Sequence, residues 1–151
     1  MTEIGFYHLQ KTPLERALPK LLERAVERGM RALVVAGSTE RVDHLNAALW
    51  TYDPASFLPH GAAGEGDARN HPIWLADHDQ PANGADLLVL VDGADSTRQG
   101  DFARVIDMFD GADPDAVSAA RRRWKAMKEA GHKLTYWQQT ERGGWEMKAE
   151  G

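Results

Sequence analysis

Residues 4–36 read IGFYHLQKTPLERALPKLLERAVERGMRALVVA, and two short apolar segments flank a long amphipathic one. The short segments, Ile4 to Leu9 and Arg31 to Ala36, have the length and apolar character of strands. In the segment between them, apolar residues recur at the spacing of one helix face; they are Leu14, Ala17, Leu18, Leu21, Leu22, Ala25 and Val26. Strand, helix and strand in this order predict one unit of a parallel sheet covered by helices.

The ends of the first helix carry start and stop signals. Thr12 is expected to be the N-cap, with Pro13 in the first turn and Glu15 completing a capping box. Gly29 is the expected end, because glycine readily adopts the positive φ that closes many helices.

The second half of the chain repeats this alternation. A turn at residues 37–39 precedes a second helix that ends near Trp50, and residues 51–70 follow as an ordered or functional loop. Further strands are predicted at residues 72–75, 85–91 and 133–138. A third helix begins at Asp113 and Pro114 and ends at Gly131.

One segment, Phe102 to Phe109, fits two interpretations. Its apolar residues have helical spacing, but its length and the β-branched Val105 and Ile106 favour a buried strand. With that strand, the elements predict an α/β fold for residues 1–151: a single three-layer α/β/α domain with an open, mostly parallel or mixed sheet. It would be Rossmann-like without a nucleotide-binding loop. The tail from Thr140 is expected to fray or to form a small hairpin.

Composition excludes several classes of protein. The net charge of −5 and the pI of about 5.6 argue against broad electrostatic binding to nucleic acid or to a membrane surface. With no cysteine, disulfides and thiolate sites are excluded. The N-terminus lacks a signal-peptide pattern and the longest aliphatic run, Leu87 to Val91, cannot cross a bilayer. A soluble, cytoplasmic protein is expected.

A basic cluster stands out against this acidic background. Residues 121–128 read RRRWKAMK, and Arg121, Lys125 and Lys128 share one helix face that Trp124 borders. We call the three basic residues the cationic face. Such a face suits an acidic peptide or single-stranded nucleic acid. The alternative interpretation is a solvated helix flank whose cations only complement the helix dipole.

Other candidate sites carry weaker signals. Residues 61–66, GAAGEG, lack the Lys-Ser/Thr of a P-loop, and Ser38 or Thr39 is an ordinary N-cap choice. Histidines and aspartates at residues 60, 71 and 77–79 lack a recognised metal-ligand spacing. Residue type alone also allows an enzyme with His60 and Glu65 as acid and base over a phosphate held by Gly64 and Gly66. No catalytic residue, cofactor or metal is expected.

Two segments resemble the chi subunit family of bacterial DNA polymerase III holoenzyme: LNAALWTYDPASFLPHGAAGEG at residues 45–66 and ARRRWKAMKEAGHKLTYW at residues 120–137. The resemblance extends to Gly5-Phe6-Tyr7 and to residues 102–107. It implies a non-catalytic α/β subunit of the polymerase complex, whose nucleotidyltransferase activity resides in another subunit. Family members bind the acidic C-terminal tail of single-stranded DNA-binding protein, and dock through the psi subunit onto the clamp loader.

The resemblance also implies roles for individual residues. Arg121 matches the family's receptor for the terminal carboxylate of the tail, Trp124 its neighbouring aromatic residue, and Lys125 a basic position beside them. Lys128 adds positive charge on the same face. The remaining matched residues are apolar groups of the same region, Trp50 and Phe57. Contact with nucleic acid would be mainly indirect, and direct binding of single-stranded DNA by the same side chains is the alternative.

Overall fold

The computed structural model describes residues 2–10, 12–51, 60–62, 72–77, 84–94, 101–142 and 144–150. Within these ranges, eight strands and three helices follow one another. They are β1 (Glu3–Leu9), α1 (Leu14–Glu27), β2 (Ala32–Val35), α2 (Thr39–Thr51), β3 (His60–Ala62), β4 (Ile73–Ala76), β5 (Leu87–Val91), β6 (Arg104–Asp110), α3 (Pro114–Glu129), β7 (Lys133–Gln139) and β8 (Trp145–Glu150). Strands and helices alternate from β1 to α2 and again from β6 to β7, as the sequence predicts, whereas β3 to β6 follow one another with no α-helix among the described residues.

All eight strands join one sheet in the order β3-β4-β2-β5-β6-β1-β7-β8. Every neighbouring pair is parallel except β7 and β8, which are antiparallel. The predicted α/β class with a mostly parallel, mixed sheet is confirmed. The loop predicted at residues 51–70 is wrong at His60–Ala62, which pair with β4 as the edge strand β3. A strand of three residues, two of them glycine and alanine, is too short to show the alternation of side chains by which strands are recognised in a sequence.

The sheet is covered on both faces, which gives the three layers. α1 and α2 pack on one face, in a core cluster that includes Val34 and Ile73. α3 packs on the other face, where Ala120 is buried in a second cluster with Leu33 and Phe6. Leu33 and Val34 are neighbours in β2, so side chains alternate between the two clusters. A strand buried on both faces has no polar side, which explains the unbroken apolar runs of β2, β4 and β5.

The ambiguous segment is a strand, as favoured above. β6 lies between β5 and β1 and is parallel to both. Its Val105 and Phe109 enter the cluster on the α3 side, and Ile106 and Met108 enter the cluster on the other side. The helical spacing of its apolar residues therefore reflects burial of both faces.

The predicted capping box at the start of α1 is wrong. α1 begins at Leu14 with Pro13 at the N-cap, and no side chain caps it. The hydroxyl of Thr12 instead accepts a hydrogen bond from Nε2 of the buried Gln139, at 2.7 Å. Oε1 of Gln139 also accepts from the backbone N–H groups of Thr12 and Gln10, at 3.1 Å each. Gln139 therefore binds the β1–α1 connection to β7 and draws Thr12 away from the helix.

The other helix ends agree with the sequence signals. Gly29 has φ +77° and Gly131 has φ +87°, the conformation that glycine allows after a helix. Asp113 is the N-cap of α3, and its carboxylate accepts a hydrogen bond from the backbone N–H of Asp115 at 3.0 Å. The C-terminal tail forms a hairpin, which was one of its two predicted states, and does not fray. β8 pairs with β7, and Trp145 packs edge-on against Tyr7 with 4.9 Å between ring centroids.

Candidate functional site: the cationic face of α3

The orientation of α3 is fixed by its apolar stripe. α3 lies across β1, β6 and β7, with Ala120 buried and Val117, Trp124 and Met127 packed on the same cluster. The residues of the cationic face project away from this stripe, and Arg121, Lys125 and Lys128 are all exposed. The helical spacing therefore places the apolar stripe and the cationic face on different sides of α3, as a helix packed against a sheet requires.

Trp124 lies at the border between the buried and the exposed side of α3. Its ring packs edge-on against Phe6 at 5.5 Å and against Tyr136 at 6.0 Å, measured between ring centroids. The side chain is half-buried. Trp124 therefore holds α3 on the sheet, and only part of its surface is open to a ligand beside Arg121.

Arg123 is the basic residue of the cluster that turns inward. Its Nε and Nη2 donate to the two carboxylate oxygens of Asp107 at 2.6 and 2.9 Å. The Asp107 side chain is 5% exposed and that of Arg123 is 17% exposed. This pair is not among the contacts predicted from the sequence. A signal existed, because an aspartate in the middle of a buried strand needs a charged or hydrogen-bonding partner.

His8 and Tyr136 form a hydrogen-bonded pair near Arg121. Nδ1 of His8 lies 2.7 Å from the Tyr136 hydroxyl, and the imidazole packs against Phe109 with 5.2 Å between ring centroids. Burial, and then the charge of Arg121, lower the pKa of His8, while Asp110 opposes them. Burial raises the pKa of Tyr136, and the Arg121 charge opposes it. Arg121 lies one turn before Trp124, whose ring packs on Tyr136, so Arg121 lies on the same side of the sheet as this pair.

The structure does not bring Trp50 and Arg121 together in one layer. Trp50 lies in the last turn of α2, which packs on the sheet face opposite α3 and contacts β3 and β4 at the other end of the sheet. Phe57 lies outside the described residues. Among the predicted residues, those of the cationic face and Trp124 lie together on α3.

The rival catalytic set is described only at His60, the first residue of β3; residues 64–66 lie outside the described ranges. Across the described part of the chain, no three histidine, aspartate or glutamate side chains are grouped to hold a metal ion. Nor is any helix in that part long and apolar enough to cross a membrane.

A cavity of about 770 Å³ lies where the carboxyl ends of β1, β5 and β6 meet the first turns of α1 and α3. Open α/β sheets often hold ligands at this kind of crevice. Its charged lining residues are Glu15, Asp92, Asp110, Asp113, Asp115, Arg41 and Arg123. The cavity is thus mainly acidic, opposite in sign to the cationic face.

Three of the charged groups of the cavity contact one another. Nε and Nη2 of Arg41 donate to the two carboxylate oxygens of Asp92 at 2.7 and 3.2 Å, and Nη2 lies 3.4 Å from Glu15. The pKa of Glu15 is lowered; burial acts to raise it, but its own backbone N–H, His44 and Arg41 stabilise the carboxylate more. The hydrogen bonds to Asp92 are the main cause that raises the pKa of Arg41. These contacts connect the first turns of α1 and α2 to the end of β5.

Comparison with known proteins assigns the family. Residues 1–135 match the family model described as "DNA polymerase III chi subunit, HolC". The chain is 30% identical over 116 residues to DNA polymerase III subunit chi of Escherichia coli strain K12, covering 74% of this chain and 78% of that protein. It is 27% identical over 137 residues to DNA polymerase III subunit chi of Pseudomonas aeruginosa, covering 89% and 94%. The chain belongs to the DNA polymerase III chi subunit family.

A third relative matches a shorter part of the sequence. The chain is 26% identical over 95 residues to a probable DNA polymerase III subunit chi of Rickettsia prowazekii. That match spans 63% of this chain and 58% of the relative. The family model covers β1, all of α3 and the first three residues of β7, so Arg121 lies within the matched region and Tyr136 directly follows it.

Proposed function

We propose that this chain is a non-catalytic accessory subunit of DNA polymerase III in DNA replication, and that its cationic face binds the acidic C-terminal tail of single-stranded DNA-binding protein. The observation that carries the proposal is the exposed row of Arg121, Lys125 and Lys128 beside the half-buried Trp124. Through this contact the subunit would couple the polymerase complex to DNA coated by that protein, so its own contact with nucleic acid would be mainly indirect.

The chemistry of the face suits an acidic peptide that ends in an apolar residue. A guanidinium can bind a terminal carboxylate through two parallel hydrogen bonds, and Arg121 is the exposed arginine nearest the aromatic group. The open edges of Trp124 and Tyr136 offer apolar surface next to it. Lys125 and Lys128 follow one and two turns along α3, where they can attract the aspartates of an extended tail.

Net charge favours a peptide over direct binding of DNA. A chain of net charge −5 repels a polyanion over most of its surface, and Arg123 is already paired with Asp107. A short acidic tail needs only the local cationic face. We further propose that the subunit acts in the cytoplasm and is linked to the clamp loader through the psi subunit; this part rests on family membership.

The experiment measures fluorescence anisotropy of a labelled peptide with several aspartates and an apolar C-terminal residue, against the whole chain. We expect micromolar binding, weakened at least about tenfold in Arg121→Ala, since a hydrogen bond to a charged group is worth about 1.5–3 kcal/mol. The matched control is Arg16→Ala, an exposed arginine of α1 in the opposite layer. It should bind like the wild type.

Two further ligands make the result specific. A peptide with an amidated C-terminus should bind weakly, because Arg121 then has no terminal carboxylate to hold. A single-stranded oligonucleotide should bind less than the peptide at equal salt. If the oligonucleotide binds more tightly and its affinity falls steeply with salt, the direct DNA-binding alternative is correct.

A further inference from the structure

The pair formed by His8 and Tyr136 is built into the surface next to Arg121. Both side chains lie on the α3 side of the sheet, where Tyr136 packs on the core cluster and His8 packs against Phe109. The imidazole also lies against Gly111, where an added Cβ would overlap Cδ2 and Nε2 of the ring. Three aromatic or glycine neighbours therefore hold the imidazole in one place, with Nδ1 directed at the Tyr136 hydroxyl.

We propose that Arg121, Tyr136 and His8 form one carboxylate-binding site, in which Arg121 and the Tyr136 hydroxyl contact the carboxylate and His8 takes up a proton when it binds. This inference rests on the proposed function and deepens it, because the carboxylate is the C-terminus of the acidic tail. Arg121 would be the direct receptor, and His8 a positioning residue that acts through Tyr136.

The hydrogen bond between His8 and Tyr136 explains how a proton can be coupled to the ligand. When Nδ1 of neutral His8 is unprotonated, it accepts a hydrogen bond from the Tyr136 hydroxyl. An imidazolium carries N–H groups on both nitrogens, so Nδ1 then donates to the Tyr136 oxygen. The Tyr136 O–H is thereby released to donate to a new acceptor, the carboxylate held by Arg121. The proton comes from solvent and stays on His8 while the carboxylate is bound.

The charges around His8 give the direction of the coupling. In the described part of the chain, Arg121 of α3 and Asp110 at the end of β6 act on His8, and Tyr136 of β7 is its hydrogen-bond partner. Burial and the Arg121 charge lower the pKa of the free site, against Asp110. A carboxylate bound to Arg121 neutralises that cation and brings a negative charge. The pKa of His8 therefore rises on binding.

The sign of the pH dependence follows. Because His8 has the higher pKa in the complex, affinity increases as pH falls through that value, and the gain is complete below the pKa of the free site. A difference of one pKa unit corresponds to a tenfold change in affinity, so we expect binding about threefold to tenfold tighter near pH 5.5 than near pH 8. The aspartates of the tail stay ionised over this range, since their ordinary pKa is about 3.9.

Isothermal titration calorimetry of the acidic peptide tests this coupling. Titrations in two buffers of different ionisation enthalpy give the number of protons taken up on binding. The wild type should take up a fraction of a proton near pH 6. His8→Asn keeps an amide at the position of Nδ1 but cannot be charged, so it should take up none and bind no more tightly at pH 5.5 than at pH 8. Tyr136→Phe should lose the low-pH gain while keeping the ring.

The matched control is His44→Asn, which removes an exposed histidine of α2 in the opposite layer. It should keep the proton uptake and the pH profile of the wild type. Peptide binding without proton uptake, or uptake that persists in His8→Asn, overturns this inference and leaves the proposed function standing. If the wild type binds no peptide at either pH, both are overturned. Proton uptake with an oligonucleotide but not with the peptide contradicts the carboxylate as ligand.

Discussion

The guanidinium of Arg123 bonds both carboxylate oxygens of Asp107, at 2.6 and 2.9 Å, between α3 and β6. This pair joins the centre of a buried strand to the helix that carries the cationic face. Arg121 lies two positions earlier on α3 and is exposed. Within one run of three arginines, one residue therefore fixes the helix on the sheet and another is available to a partner.

Removal of Arg123 should destabilise the fold. Arg123→Ala leaves the carboxylate of Asp107 buried without this cation, and breaking a buried pair in this way costs about 3–5 kcal/mol. Urea denaturation followed by circular dichroism measures the free energy of unfolding. Arg122→Ala is the control, because Arg122 is exposed and contacts only Ser118, at 3.3 Å, among the hydrogen bonds described here. Equal losses in the two variants would contradict a structural role specific to Arg123.

The contrast between these arginines shows which features of α3 can be predicted from the sequence and which cannot. The period of three and four residues places Val117, Ala120 and Trp124 on the sheet side of α3, and the structure agrees. Period alone does not show that Arg123 turns inward, because the contact depends on Asp107, sixteen residues away in another element. A charged residue inside the apolar run FARVIDMF was the available signal for such a contact.

Other features had no local signal at all. His8 and Tyr136 are separated by 128 residues, and they meet only because β7 is placed beside β1 after the crossover through α3. Thr12 contacts Gln139, 127 residues away, and this contact takes the place of the helix cap that the local sequence predicts. Helices, the longer strands and the exposed face of α3 follow from short-range patterns, whereas these polar contacts follow from topology.

Gly111 should not tolerate a side chain. An added Cβ would overlap the His8 imidazole and the backbone carbonyl of Leu9. Gly111→Ala is therefore expected to lower the free energy of unfolding by about 1–3 kcal/mol, the usual range for overpacking. Thermal and urea denaturation measure the loss. Gly144→Ala is the control, since its Cβ would meet only the Thr140 hydroxyl at an ordinary 3.5 Å. A Gly111→Ala protein as stable as the wild type would show that both His8 and the backbone of Leu9 can move aside.

The ring of Trp124 should contribute more to the stability of the fold than to peptide binding. Its edge-on contacts with Phe6 and Tyr136 predict a loss of about 3 kcal/mol or more in Trp124→Ala, in line with large aromatic truncations. Trp124→Phe keeps an aromatic group and should lose less. Stability is measured by denaturation, and peptide affinity is measured on the Phe variant because it stays folded. If Trp124→Ala costs nothing, the ring is not part of the core.

Glu15 should contribute stability that disappears in acid. Its pKa is lowered in the folded chain: burial opposes this, but the carboxylate gains its own backbone N–H, His44 and Arg41 as partners. A group whose pKa is depressed on folding stabilises the native state above its unfolded pKa, and that contribution is lost as pH falls through the folded value. Glu15→Gln should therefore reduce stability near pH 7 and have little effect near pH 3.

The size of this effect is limited by solvent. The Glu15 side chain is 30% exposed and that of Arg41 is 34% exposed, so we expect a loss of about 1 kcal/mol or less near pH 7. Glu40→Gln is the matched control, because Glu40 also lies in a first helical turn but is exposed. Denaturation midpoints measured from pH 3 to pH 7 separate the two variants. If the two variants show parallel pH profiles, the contacts of Glu15 with Arg41 and His44 add nothing to stability beyond the interaction of a carboxylate with the helix dipole.

Gln139 should be costly to remove, because at least three hydrogen bonds depend on it. Its Oε1 accepts from the backbone of Gln10 and Thr12, and its Nε2 donates to the Thr12 hydroxyl. Gln139→Ala removes the acceptor for both N–H groups, at a cost of about 1–3 kcal/mol for each that stays buried without water. Amide hydrogen exchange should accelerate at Thr12. Gln138→Ala, the half-buried neighbour on β7, is the control; if exchange and stability change equally in both variants, the β1–α1 connection does not depend on Gln139.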